Sequence, residues 1–256
     1  MERPPLYGAF HIFFIILSIV AGFLIVKHCA GRGEAYIRRF LLIGSLLVII
    51  LEVYKQINFS FGYDGGKITF DYQWYAFPFQ FCSTPMYIGL LAGLTRKGKI
   101  HNAAMAYLAT YAVFAGVCVM LYPATVFIST MGINIQTMVC HGSMIAIGVY
   151  LLYCGYVKIE HKTVLRAIPV FAVCVAVACV MNEVAYRTGL LERETFDMFF
   201  ISPYGTPSLP VYSLVQNVVP FPWCLVIYVA AFTLAAYLML LIAMGIKTLA
   251  KKKAIV

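Results

Sequence analysis

Seven apolar stretches, each near the length that crosses a lipid bilayer, dominate this sequence: Tyr7–Val26, Phe40–Gln56, Trp74–Leu94, Ala103–Tyr122, Gln136–Tyr156, Val164–Glu183 and Phe221–Ile246. A helix rises about 1.5 Å per residue, so about 20 residues span a hydrocarbon layer of about 30 Å. The spacing predicts an all-α membrane bundle of seven transmembrane helices. No Pro/Gly/Ser-rich or charged linker divides the chain and no repeat is evident, so one domain over residues 1–256 is expected. The chain is 62% hydrophobic and 11% charged, whereas a soluble domain carries about 25% charged residues. Lipid must therefore serve as part of its solvent.

Charge fixes the orientation. Lys27, Arg32, Arg38 and Arg39 follow the first stretch, and Arg96, Lys97 and Lys99 follow the third. Lys158, Lys162 and Arg166 follow the fifth, and Lys247, Lys251, Lys252 and Lys253 end the chain. These make 14 of the 19 Lys and Arg on one side, against Arg3, Lys55, Lys67, Arg187 and Arg193 on the other. The richer side is expected in the cytoplasm. With seven spans the N-terminus is then outside and the C-terminus cytoplasmic, in a multi-pass protein of the cell membrane. The formal net charge of +9 belongs to this asymmetry and to anionic headgroups rather than to nucleic acid. The eight cysteines lie mostly inside apolar stretches without paired spacing, which argues against a disulfide framework. No cleavable signal peptide is expected, because positive charge follows the first stretch instead of preceding it.

Two outer loops stand out. Asn58–Gln73 reads as a short hairpin around Asp64-Gly65-Gly66. Ala185–Pro220 is long and proline-bearing, and its aromatic run Phe196–Phe200 reads as a cap on the membrane surface.

Ionisable groups inside a bilayer are costly and mark function by default. His11, Glu52, His141, Asn182 and Glu183 all fall in the outer halves of their stretches. Cys82 lies on the order of 10 Å below the outer interface and His141 roughly 7 Å below it. Gln80 and Thr84 flank Cys82. Polar groups at one depth suggest a cavity open to the outer leaflet or to outer water. Plainer readings stand beside this one. Glu52 and Glu183 either face the cavity or snorkel to the interface. His11 reads as interfacial, and Asn182 as a helix-packing hydrogen bonder or a site residue. A cysteine alone is usually an inert small side chain.

The context of Cys82 sharpens the choice. In Phe77-Pro78-Phe79-Gln80-Phe81-Cys82-Ser83-Thr84-Pro85 a proline stands on either side of it. Pro85 is expected to kink the helix and free carbonyls nearby. A thiol there can meet a histidine from another helix, the nucleophile–base pairing of cysteine catalysis. Competing motifs are absent: there is no G-x-S-x-G, no P-loop, no H-E-x-x-H and no C-x-x-C. A metal on Cys82, Cys140 and His141 would lack a clear fourth ligand, so neither metal nor cofactor is expected. The last stretch has no internal lysine for a retinal Schiff base.

Phe77–Cys82 resembles the L-P-L-H-L-C signature of the YwaF family of bacterial membrane proteins, with Gln80 where the signature has histidine. Cys140-His141-Gly142 resembles that family's H-G pair. Asn182 and Pro220-Phe221-Pro222-Trp223 resemble its asparagine and its G-P-W-P-W segment. The order is kept along about four-fifths of the chain. That family is similar to eukaryotic transmembrane protein 164, regarded as a CoA-independent acyltransferase that moves a fatty acyl chain between phospholipids through a cysteine-bound intermediate. The resemblance implies Cys82 as nucleophile and His141 as general base. Gln80, Glu52, Asn182 and Thr84 would form the supporting polar cluster, and a phospholipid or lyso-phospholipid would be the substrate. The alternative is a small-molecule or lipid transporter, or a binding protein without covalent chemistry.

Overall fold

The computed structural model describes residues 2–189, 196–205, 209 and 212–253. Its elements are α1 (Ala9–Cys29), α2 (Glu34–Asn58), β1 (Phe61–Asp64), β2 (Lys67–Phe70), α3 (Thr84–Leu94), α4 (Lys99–Ala109), α5 (Tyr111–Leu121), α6 (Met131–Tyr153), α7 (Lys162–Thr188), α8 (Tyr212–Gln216) and α9 (Phe221–Lys253). The chain is all-α apart from the β1–β2 hairpin. Among the described residues, six helices are long and apolar enough to cross a membrane: α1, α2, α4 with α5, α6, α7 and α9. Large apolar side chains such as Phe13, Ile19 and Phe23 of α1 stand exposed on their outer faces. Lipid covers such surface at no cost, where water would not.

The third apolar stretch departs from the expected single helix. Trp74–Ala76 form one 3-10 turn, and α3 starts only at Thr84. Pro85 explains the start. Its missing N–H and fixed φ suit the first turn of a helix, so it opens α3 instead of kinking a longer one. Pro78 disfavours helix in the residue before it. The polar backbone groups of this irregular stretch find partners, as membrane depth requires. Gln56 Nε2 donates to Ala76 O at 2.8 Å, Tyr87 OH to Pro78 O at 2.8 Å and Thr84 Oγ1 to Phe81 O at 2.8 Å. The fourth stretch is one column broken at Thr110, whose φ of −129° and ψ of −75° separate α4 from α5.

The hairpin expected at Asp64-Gly65-Gly66 forms. Asp64 pairs with Lys67 across a two-residue loop, and Gly65 and Gly66 take φ of 53° and 83°. Those left-handed values are why glycine occupies both loop positions. The aromatic run 196–200 does not lie on the surface as expected. Phe196, Met198 and Phe199 turn inward and are buried. Residues 190–195 of the same loop, with Glu192, Arg193 and Glu194, lie outside the described residues.

α6 packs between α1 and α5, α2 packs on α3, α4 on α7, and α9 covers α5 and α7. One core gathers Tyr107, Tyr111, Phe171, Phe199 and Tyr228, and a second gathers Leu41, Leu108, Ala112, Met144 and Tyr150. α5 and α6 approach so closely at Gly116 that a Cβ there would sit 2.7 Å from His141 O. Small residues at such crossings are how membrane helices pack. The contact holds the α6 backbone at the site firmly against α5.

Candidate functional site

His141 projects from the middle of α6 and is buried. Its Nδ1 lies 2.7 Å from Thr137 O, one turn back on the same helix. A carbonyl only accepts, so Nδ1 carries the proton and Nε2 holds a bare lone pair. Nε2 is buried with no hydrogen-bond partner among the described residues. His11 makes the contrast. Tyr7 N donates to its Nδ1 at 3.0 Å, and its Nε2 donates to Met120 O at 2.8 Å. Both nitrogens are used, and the ring is fully buried. The interfacial reading of His11 therefore gives way to a clasp that ties the start of α1 to the end of α5.

Glu52 is 7% exposed and does not snorkel. Lys55 Nζ lies 2.8 Å from its Oε1, and Gln56 Nε2 donates to the same oxygen at 2.7 Å. Gln136 Nε2, from α6, reaches Glu52 Oε2 at 3.5 Å and Cys140 Sγ at 3.5 Å. Tyr72 OH donates to Gln56 Oε1 at 2.5 Å. The carboxylate is thus paired and hydrogen-bonded on both oxygens, which offsets the cost of burying it.

Cys82 sits in the turn just before α3, half-buried against the core that holds Ala112 and Met144. The charges of Lys55 and Glu52 both act on its thiol. Lys55 and Cys82 also lie within electrostatic reach of Cys140, and Lys55 within reach of His141. Gln136 joins the Glu52–Lys55 pair to Cys140, the residue before His141 on α6. Among the described residues no three His, Cys, Asp or Glu side chains are grouped to hold a metal ion.

Gln80 and Asn182 hold a neighbouring feature. Gln80 Nε2 donates to Asp197 O at 2.8 Å, and Phe199 N donates to Gln80 Oε1 at 2.9 Å. Asn182 Nδ2 donates to Met198 O at 3.1 Å, and Met198 N donates to Asn182 Oδ1 at 2.8 Å. Two side-chain amides thus grip adjacent peptides of one loop in both directions. Tyr228 OH adds a bond to Phe199 O at 3.1 Å. Phe199 and Phe200 take φ of 62° and 58°, which costs roughly 1–3 kcal/mol at each non-glycine residue. Three side chains hold that strain in place.

Asp197 is largely buried beside this grip, and burial pushes its carboxyl up to about 6 against a bond from Ser202 N. Thr84 Oγ1 pairs with Tyr107 OH at 2.6 Å and belongs to the start of α3. Glu183 lies at the surface, hydrogen-bonded to Tyr204 OH at 2.5 Å and paired with Arg187.

Of the residues singled out by sequence, Glu52 is joined through Gln136 to Cys140 beside His141, Cys82 makes no hydrogen bond to His141 Nε2, and Gln80 and Asn182 serve the loop. Lys55, Gln56, Gln136 and Tyr72 were missed. Lys55 and Gln56 stand three and four residues after Glu52, and Gln136 stands four before Cys140, spacings that put each set on one helix face. That spacing was the available signal.

No curated protein and no solved structure matches the chain. The family model described as the TMEM164 family matches residues 6–241. That match covers almost the whole bundle and every residue of the site just described, and this membrane protein belongs to the TMEM164 family.

Proposed function

We propose that this protein is a membrane-embedded, CoA-independent phospholipid acyltransferase that carries the acyl chain as a thioester on Cys82. One observation carries the reading: the His141 tautomer is fixed with a free, buried lone pair on Nε2. His11, also buried in the bundle, uses both of its nitrogens structurally. A general base needs one of them free.

In the proposed reaction Nε2 takes the Cys82 proton and the thiolate attacks the ester carbonyl. The tetrahedral intermediate collapses, the C–O bond breaks, and the lyso-lipid oxygen leaves with the proton from Nε2. A second lyso-lipid hydroxyl then gives its proton to Nε2 and attacks the thioester. The C–S bond breaks and the sulfur is reprotonated. Water in place of the second lipid gives hydrolysis. The Lys55 ammonium supplies positive charge to the sulfur and to the developing oxyanion. Seven crossings, with α3 and the stretch before it as the third, put the N-terminus outside, the C-terminus in the cytoplasm and the site toward the outer leaflet of the cell membrane.

The buried Glu52–Lys55 pair also suits a carrier that binds a zwitterionic solute without covalent chemistry. Incubating the protein with phospholipid and measuring intact mass before and after hydroxylamine separates the two. Acyl transfer gives a hydroxylamine-sensitive adduct that Cys82→Ala abolishes. An adduct that persists in Cys82→Ala sinks the proposal.

A further inference from the structure

Directly below the Glu52–Gln136 contact lies a narrow hollow between α2, α3, α6 and the α4–α5 column. Val48 and Gly44 of α2 face Cys140 and Ile147 of α6, and Pro85 and Met86 of α3 close the back. Val48 stands one turn from Glu52, Cys140 one turn from Gln136, and Pro85 three residues after Cys82. The polar network thus caps one end. From there the hollow runs past seven residues of α2, down to Leu41, and seven of α6, down to Ile147. At the helical rise that is about 10 Å.

Its walls are almost wholly apolar, so water gains little there. α2 packs chiefly on α3, and α6 chiefly on α1 and α5, so the seam between α2 and α6 is thin. At that seam stand Gly44 and Ser143, both small and both partly exposed. The hollow therefore opens sideways between two membrane-crossing helices.

We propose that this hollow receives the fatty acyl chain of a membrane phospholipid, entering sideways through the α2–α6 seam with its ester end at the Glu52–Gln136 cap. The inference rests on the acyl-transfer reading for its choice of occupant. A polar cap on an apolar slot matches an amphiphile of that form, and the cap lies in the neighbourhood of Cys82. The free volume is about 30 Å³ in this structure, so the chain enters as Met86 and Met144 turn aside. Both are unbranched and adaptable, as such a gate requires.

Gly44 gives the test. A Cβ there meets only Ile147 Cδ1, at 3.8 Å, an ordinary contact. Gly44→Ala then folds and serves as control, Gly44→Leu fills the slot, and Ile147→Ala enlarges it. The full-length protein in nanodiscs is given phosphatidylcholine bearing a diazirine near the end of one chain. Cross-linked residues are mapped by mass spectrometry, with Cys82 acylation measured in parallel. Cross-links are expected on Met86, Met144 and Ile147. Gly44→Leu should lower them about tenfold, which is what two buried methylenes contribute, and Ile147→Ala should restore longer chains. Cross-links elsewhere, or unchanged by Gly44→Leu, overturn the slot even if Cys82 is acylated. Slot cross-links without acyl-Cys82 uphold the slot and count against the transferase reading alone.

Discussion

Glu52 of α2 and Gln136 of α6 meet at 3.5 Å across the seam between their helices, with the Lys55 ammonium 2.8 Å from the other oxygen of the same carboxylate. Removing the carboxylate strands Lys55, whose side chain is only 17% exposed. Breaking such a pair costs about 3–5 kcal/mol. Glu52→Gln should therefore lower the thermal stability of the protein in nanodiscs markedly. Removing both charges in Glu52→Gln/Lys55→Met should recover most of it. A double variant as unstable as the single one would show that the pair is not the source.

The two histidines should separate function from stability. His141→Ala forfeits one hydrogen bond, worth about 1 kcal/mol, and should slow Cys82 acylation by roughly 10²–10⁴-fold. His11→Ala forfeits two buried bonds and should cost about 2–3 kcal/mol while leaving the acylation rate of the folded protein intact. Melting curves and adduct kinetics on the same preparations check both. Equal losses of rate in the two variants would remove His141 from its special place.

Gln80→Ala and Asn182→Ala each leave a buried peptide N–H and C=O unpaired, at about 1–3 kcal/mol apiece. Amide exchange at Met198 and Phe199 should rise in both variants, because each removes one of the two side-chain amides that grip the strained turn at Phe199 and Phe200. Exchange unchanged from the parent protein would mean that the ring contacts of Phe199 suffice.

The loop should also respond to pH. Burial holds the Asp197 carboxyl at about 6, above its value of about 3.9 in an open chain. A raised acid favours the docked loop while protonated. That contribution is complete below about pH 4 and is lost as pH rises through 6. Protection of residues 197–199 should fall over that window in the parent protein and stay flat in Asp197→Asn.

Most of the bundle was legible because long apolar stretches bounded by charge have few other uses. The third stretch was not. Periodicity cannot tell a helix that contains Pro85 from one that begins there, and only the partners of Ala76, Pro78 and Phe81 make the irregular alternative affordable. Two residues from Cys82, Gln80 is expected from sequence in the supporting polar cluster. Its actual partner, Asp197, lies 117 positions along the chain, beyond what local pattern reports. Lys55 entered only as one of five basic residues on the outer side, since a charge tally ignores the helix face that joins it to Glu52.

The shortness of α3 has a consequence for the lipid itself. Eleven residues rise about 16 Å, so with α3 ending at the inner boundary Cys82, two residues before its start, stands some 10 Å short of the far boundary of a hydrocarbon layer about 30 Å thick. Ester groups of a resting phospholipid lie at that boundary. Under the acyl-transfer proposal, an ester that reaches Cys82 is drawn down out of its leaflet plane. Bilayer thickness then becomes a lever on the proposed reaction.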